Sequence, residues 1–187
     1  MRGVIVLALG LLLLPGAPAA TQPHPPFTVE VVPGDNAIAL IGDMSKGVAD
    51  AFRAALAKAP KTTLVLMETH VGNLAEGLAL HAIIKAHALD TSVKLGCDTI
   101  CTVIFLAGKR RHAGHQSIFR LHRTTTLDGQ ETPMADIMLR GIFLQAGVAD
   151  WFVDRILDTP RDGEWLPSLD ELMRAGVATM TDFARPR

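Results

Sequence analysis

Thr91-Ser92-Val93-Lys94-Leu95, then Gly96, then Cys97-Asp98-Thr99-Ile100-Cys101-Thr102-Val103-Ile104-Phe105-Leu106-Ala107 decides the architecture. The first five residues read as a short strand. From Cys97 to Ala107 an apolar run of helical length follows. Thr99 therefore stands just past a strand and opens a buried helix. The first amides of a helix have no partner inside it, and the helix dipole favours negative charge there. A hydroxyl in that position suits a nucleophile, with the Ile100 amide as a donor to an oxyanion.

Upstream, Lys61 to Met67 is a continuous β-branched and apolar run, as expected of a strand buried on both faces of a parallel sheet. Thr69 to Asn73 reads as a loop, and a mostly apolar helix follows from Leu74 to about His87. Downstream, Gln116 to Leu121 reads as another strand. Strand, helix, strand, helix, strand at short spacing predicts βαβ units and a parallel sheet. Before this core, Phe27 to Val32 and Ala37 to Ile41 form a hairpin around Pro33-Gly34-Asp35-Asn36. Ser45 is the expected N-cap of a helix over 46–58, with Val48, Ala51, Phe52, Ala55 and Leu56 on its buried face. Helices are expected over 134–146 and about 149–157, with Trp151, Phe152 and Ile156 in the core. Ser168 and Glu171 have the spacing of a capping box at the last helix.

The chain is 187 residues long with a net charge of −1 and no tyrosine. No basic block is present, so a nucleic-acid footprint is missing. Residues 1–19 read as a signal peptide. Arg2 gives the positive start, Gly3 to Leu14 the apolar stretch, and Ala17-Pro18-Ala19 the cleavage motif before Ala20. A membrane span needs about 20 apolar residues, and this run ends at Pro15. We expect a periplasmic or secreted protein with no stable membrane span after cleavage; the alternative is an anchor formed by the uncleaved N-terminal helix. Residues 20–26 form a proline-rich linker. Residues 27–187 are one domain.

Gly72, Thr99 and His122, in that order, each lie just past a β-like run. In that order they supply a backbone donor, a hydroxyl and a base. Thr69-His70-Val71-Gly72-Asn73, Cys97-Asp98-Thr99-Ile100-Cys101, Phe105-Leu106-Ala107-Gly108-Lys109-Arg110-Arg111 and Leu121-His122 together resemble the Clp-protease and crotonase superfamily. The likeness covers about residues 37 to 182 and is to a secreted branch without an ATPase. That branch carries Cys-x-Ser-x-Cys, so threonine stands here where the family has serine. Val71 and His70 likewise replace a glycine and a proline. The resemblance implies an α/β fold of the crotonase/Clp-protease type, a twisted parallel sheet flanked by helices. It implies Thr99 as nucleophile, His122 as base, and the Gly72 and Ile100 amides as the oxyanion hole. Arg161-Asp162 is the nearest match to the third catalytic member, with a spacing to Trp165-Leu166 one residue longer than the family's.

The expected function is that of a Clp-protease-like hydrolase homologue, a weak peptidase or a degenerate one. The alternative is a non-catalytic binding module on the same fold. An acyl-CoA enzyme of this fold ranks third, because nothing resembles its thioester-site motif. A peptide or protein is the expected substrate or ligand, and fold analogy implies a homo-oligomer. No metal, nucleotide or other cofactor is expected. His112 and His115, beside Lys109, Arg110 and Arg111, read as a solvated loop. Asp98 reads as a charge at a helix start. The two cysteines are expected as buried thiols, with a disulfide the alternative in an oxidising compartment.

Overall fold

The computed structural model describes residues 27–70, 72–124, 133–160 and 162–181. The expected signal peptide and linker, Val71 and Arg161 lie outside the described residues. Six strands form one sheet in the order β1-β2-β3-β4-β5, and β6 also pairs with β4. Strands β1 (Phe27–Val32) and β2 (Ala37–Gly42) make the hairpin. Helix α1 (Val48–Lys58) leads to β3 (Leu64–Thr69), and α2 (Leu74–Ala86) to β4 (Asp90–Asp98). Helix α3 (Thr99–Phe105) then precedes the short β5 (Arg111–Ala113) and β6 (Ile118–Arg120). Helices α4 (Pro133–Gln145), α5 (Asp150–Asp158) and α6 (Leu169–Arg174) complete the domain. All pairings from β2 onward are parallel, and β1 is an antiparallel edge.

The turn into α3 sits in the middle of this layout because β4 changes partner halfway along. Thr91, Ser92 and Val93 pair with β5, whereas Gly96, Cys97 and Asp98 pair with β6. Between the two halves the register with β3 jumps from Met67↔Val93 to Thr69↔Cys97. Lys94 and Leu95 are the exposed residues of this irregularity. Such bulges re-aim strand ends, and here the second half of β4 carries Asp98 to the mouth of the sheet.

Helix α3 is the central helix. Cys101 to Phe105 are buried without a break. Phe105 meets Phe119 of β6 edge-to-face at 5.4 Å, a geometry worth about 0.5–1.5 kcal/mol beyond burial. The buried Thr91 hydroxyl donates to the Phe105 carbonyl at 2.7 Å, tying β4 to the end of α3.

Several local expectations are corrected. The segment Cys97–Ala107 is not one helix: β4 continues to Asp98 and α3 begins at Thr99. Cys97 and Cys101 are not free thiols but a disulfide, with Cα atoms 5.2 Å apart across the strand-to-helix corner. The corner brings the two together from different elements, within the usual disulfide range. Ser45 does not cap α1; Gly47 is the N-cap, and no side-chain cap bond is made from that position. Glu76 of α2 supplies the acceptor instead, taking bonds from the Gly47 and Ala49 amides at 3.0 Å each. Ala51 is only partly buried and Ala49 takes its place in the core. Arg111 to Ala113 is a strand rather than a solvated loop; the Arg111 guanidinium bonds the carbonyls of Val177 and Gly176 at 2.8 and 2.7 Å. Trp151 is 44% exposed, while Phe152 and Ile156 are buried as expected. The Ser168–Glu171 capping box forms.

Candidate functional site

Thr99 and His122 come together at the C-terminal edge of the sheet. Thr99 is the first residue of α3 and His122 lies just past β6. Their contact, however, is through the main chain of the histidine. The Thr99 hydroxyl accepts from the His122 amide at 3.1 Å and donates to the His122 carbonyl at 3.2 Å. With Thr99 only 3% exposed, its hydroxyl proton and one of its lone pairs tie the start of α3 to the end of β6. The β-methyl stiffens χ1 and holds that arrangement.

The His122 imidazole turns elsewhere. Its Nδ1 lies 2.9 Å from the Arg123 carbonyl. Carbonyl oxygens only accept, so Nδ1 donates here, and in the neutral imidazole Nε2 is then the acceptor. A main-chain carbonyl thus occupies the orienting position for which a carboxylate was expected. Asp162 is exposed, and no hydrogen bond or ion pair joins it to His122. Its loop does run alongside: Leu121 and Trp165 exchange amide–carbonyl bonds at 2.9 Å, and the Arg123 amide donates to Thr159 at 2.8 Å. The loop across from His122 carries Asp162, yet the side chains do not meet.

The backbone-donor half is assembled differently. Gly72 forms a parallel bridge with Met44, in which the Asn73 amide donates to the Met44 carbonyl at 2.9 Å. In that pattern the Gly72 amide lies outside the ladder. A Cβ on Gly72 would sit 2.7 Å from Met44 Cβ and 3.1 Å from Ile100 Cγ2. Glycine is therefore required by close approach, and Gly72 touches the residue whose amide is the other expected donor. Ile100 is in the first turn of α3, where amides lack helical partners. Asn73 caps α2 from the neighbouring position, accepting from Ala75 and Glu76 at 2.8 and 3.3 Å.

A charged cluster missed in the sequence lies at the same edge. Asp98 and Arg120 are register partners of β4 and β6, and Arg120 Nη1 donates to Asp98 Oδ1 at 3.0 Å. Arg120 also approaches Glu164 at 3.7 Å. His70, the residue after β3, puts Nδ1 4.0 Å from the same Asp98 oxygen. Asp98 thus serves side chains on two strand ends and makes no cap bond to α3. The signal for the cluster was cross-strand register, which no single segment displays. Among the described residues, no three His, Cys, Asp or Glu side chains gather into a metal-binding group. Two open cavities of about 310 and 360 Å³ lie elsewhere, one at the β1–β2 turn beside the end of α1, one among His81, Lys85, Lys109 and Arg111. Neither touches Thr99 or His122.

No protein-family model matches the chain, and no curated protein matches it by sequence. The fold does match solved structures. ClpP1 from Listeria monocytogenes superposes with a TM-score of 0.66 at 14% identity, covering 80% of this chain and 92% of that one. A mutant of the same Listeria monocytogenes protein gives 0.65 at 15% identity with the same coverage. The chain therefore has the ClpP-type α/β fold in a single domain, as the sequence predicted, and at this identity the likeness shows the fold alone.

Proposed function

We propose that the protein is an exported homologue on the Clp-protease fold whose hydrolase site is degenerate, at most a weak peptidase. One observation carries this reading: the hydroxyl in the nucleophile position is bonded on both sides to the main chain of the residue that should deprotonate it. To attack a carbonyl, Thr99 would have to break both bonds and rotate about a stiff χ1. Misplacing a reacting group by about 1 Å can cost a hundredfold in rate. The ligand would be a peptide or protein, with its acyl oxygen at the Gly72 and Ile100 amides. The non-catalytic binding module is the limiting form of this reading, and the buried Thr99 favours it.

The Cys97–Cys101 disulfide supports export, since such bonds persist in oxidising compartments. Self-association is part of the proposal. The solvent face of α4 carries Met134, Ile137, Met138 and Leu144, exposed by 66, 66, 37 and 40%, and an apolar helix face of this kind is normally covered.

Peptide hydrolysis by the exported protein tests the reading. A kcat/KM in the range of ordinary enzymes, about 10⁴ M⁻¹s⁻¹ or more, would overturn it. N-terminal sequencing is expected to find Ala20 at the start of the mature chain; an intact Met1 in membranes would refute export.

A further inference from the structure

We propose that His70 and Asp98 form a second base at this site, which activates water against an acyl group held at the Gly72 and Ile100 amides. The inference rests on the reading of those two amides as an oxyanion site.

Three observations converge on His70. First, its ring lies against Gly96: a Cβ there would run into Cε1, so the absence of a side chain on β4 makes the slot the imidazole occupies. Second, Nδ1 faces Asp98 Oδ1 at 4.0 Å, and Asp98 is itself held at 3.0 Å by Arg120. In the neutral imidazole, a proton on the Nδ1 that faces the carboxylate leaves the Nε2 lone pair for water. The 4.0 Å separation is longer than a hydrogen bond, so the proposed step requires this contact to close. Third, the His70 side chain is 46% exposed, whereas Thr99 is buried with its hydroxyl proton already donated to the main chain. His70 is two residues from Gly72, and Asp98 two from Ile100. Each member of the dyad therefore lies close along the chain to one of the two expected oxyanion donors.

The reaction balances without a covalent intermediate. A water oxygen adds to the acyl carbon while its proton passes to His70 Nε2. The carbonyl electrons move onto the oxygen facing Gly72 and Ile100. Collapse then breaks the bond to the leaving oxygen, which takes the proton back from His70. Asp98 touches no reacting atom and is a positioning residue. Activated esters are the substrate class this suits, since no nucleophilic side chain is needed.

The test is hydrolysis of 4-nitrophenyl acetate by the full exported chain, beside free imidazole at equal concentration. Turnover is expected to exceed that of imidazole, and His70→Gln to lower kcat/KM at least about tenfold. Asp98→Asn should lower kcat several-fold with KM unchanged and alter the pH profile, and Asp98→Glu should restore part of it. Asp98, Arg120 and Glu164 are the charged groups of the cluster around this imidazole. His87→Gln, at an exposed histidine beyond α2, should match the native protein. Thermal midpoints identify any variant that fails to fold, and His70→Gln alters an exposed side chain. A native rate no faster than imidazole, or a His70→Gln variant as fast as native, would overturn the proposal. Covalent labelling of a Thr99→Ser variant reports on the oxyanion reading separately, so the two can fail independently.

Discussion

The two halves of the site differ in what holds them. On one side, the Gly72 and Ile100 amides are placed by backbone: a bridge to Met44, a helix start, and a glycine with no room for a Cβ. On the other, Thr99, His122 and Asp162 depend on side-chain direction, and each is turned to another partner or to solvent. Main-chain donors persist as long as the fold persists. A proton relay is lost when one hydroxyl finds a better-packed partner, with no change to the fold around it.

The contrast can be broken first at Thr99. Thr99→Val keeps the shape and removes the oxygen that serves the His122 amide and carbonyl. Leaving such groups unpaired costs about 1–3 kcal/mol, and chemical denaturation should find a loss in the upper part of that range. No loss would mean that the two bonds do not hold the corner. Gly72→Ala probes the other half. The added methyl must displace Met44 or Ile100, at a cost of about 1–3 kcal/mol, as is typical of overpacking. Met44 Cβ is the nearer of the two and belongs to a fully buried side chain, so the clash is not relieved at a flexible tip. A neutral result would show that close approach is not what demands glycine.

A smaller effect sharpens the account through pH. Bonds from the Gly47 and Ala49 amides hold the Glu76 carboxyl below the ordinary glutamate value of 4.5. A depressed carboxyl stabilises the fold above its unfolded pKa and ceases to do so as pH falls through the folded one. The stability difference between native protein and Glu76→Gln should therefore be present at neutral pH and shrink below about 4.5. A difference that is constant with pH would contradict the capping role. The smallest effect is expected at Asp162. Since the Arg123 carbonyl orients His122, Asp162→Asn should change any ester turnover less than about threefold, against the roughly 10⁴ that an orienting aspartate can carry.

The hairpin, α2 and the last capping box were legible because each is local. Their periodicity, turn residues and cap spacing lie within one segment, as with Ser168 and Glu171. A parallel α/β sheet was legible for a related reason, as the strand and helix order predicts parallel crossovers, whereas the ClpP type rested on the resemblance of the motifs around Gly72, Thr99 and His122. What was hidden is cross-strand. Arg111 to Ala113 is three residues with two basic side chains, and it becomes a strand only because β4 offers an edge. The α1 cap comes from Glu76, 29 residues from Gly47. Order along the chain put Thr99 next to His122, but not which atoms would meet. That was decided by the register of β4 with β6, which also set Asp98 against Arg120.

Fluorophosphonate labelling tests the central claim most directly, because it reads an activated hydroxyl and not hydrolysis by another route. Thr99→Ser removes the methyl that stiffens χ1, and Nε2 of His122 is the ring nitrogen not engaged by the Arg123 carbonyl. Labelling should rise from little or none in the native protein by about tenfold or more, equivalent to about 1.4 kcal/mol of barrier, and should vanish when His122→Ala is added. A native protein that labels faster than its Thr99→Ser variant would contradict the account and identify a working threonine nucleophile.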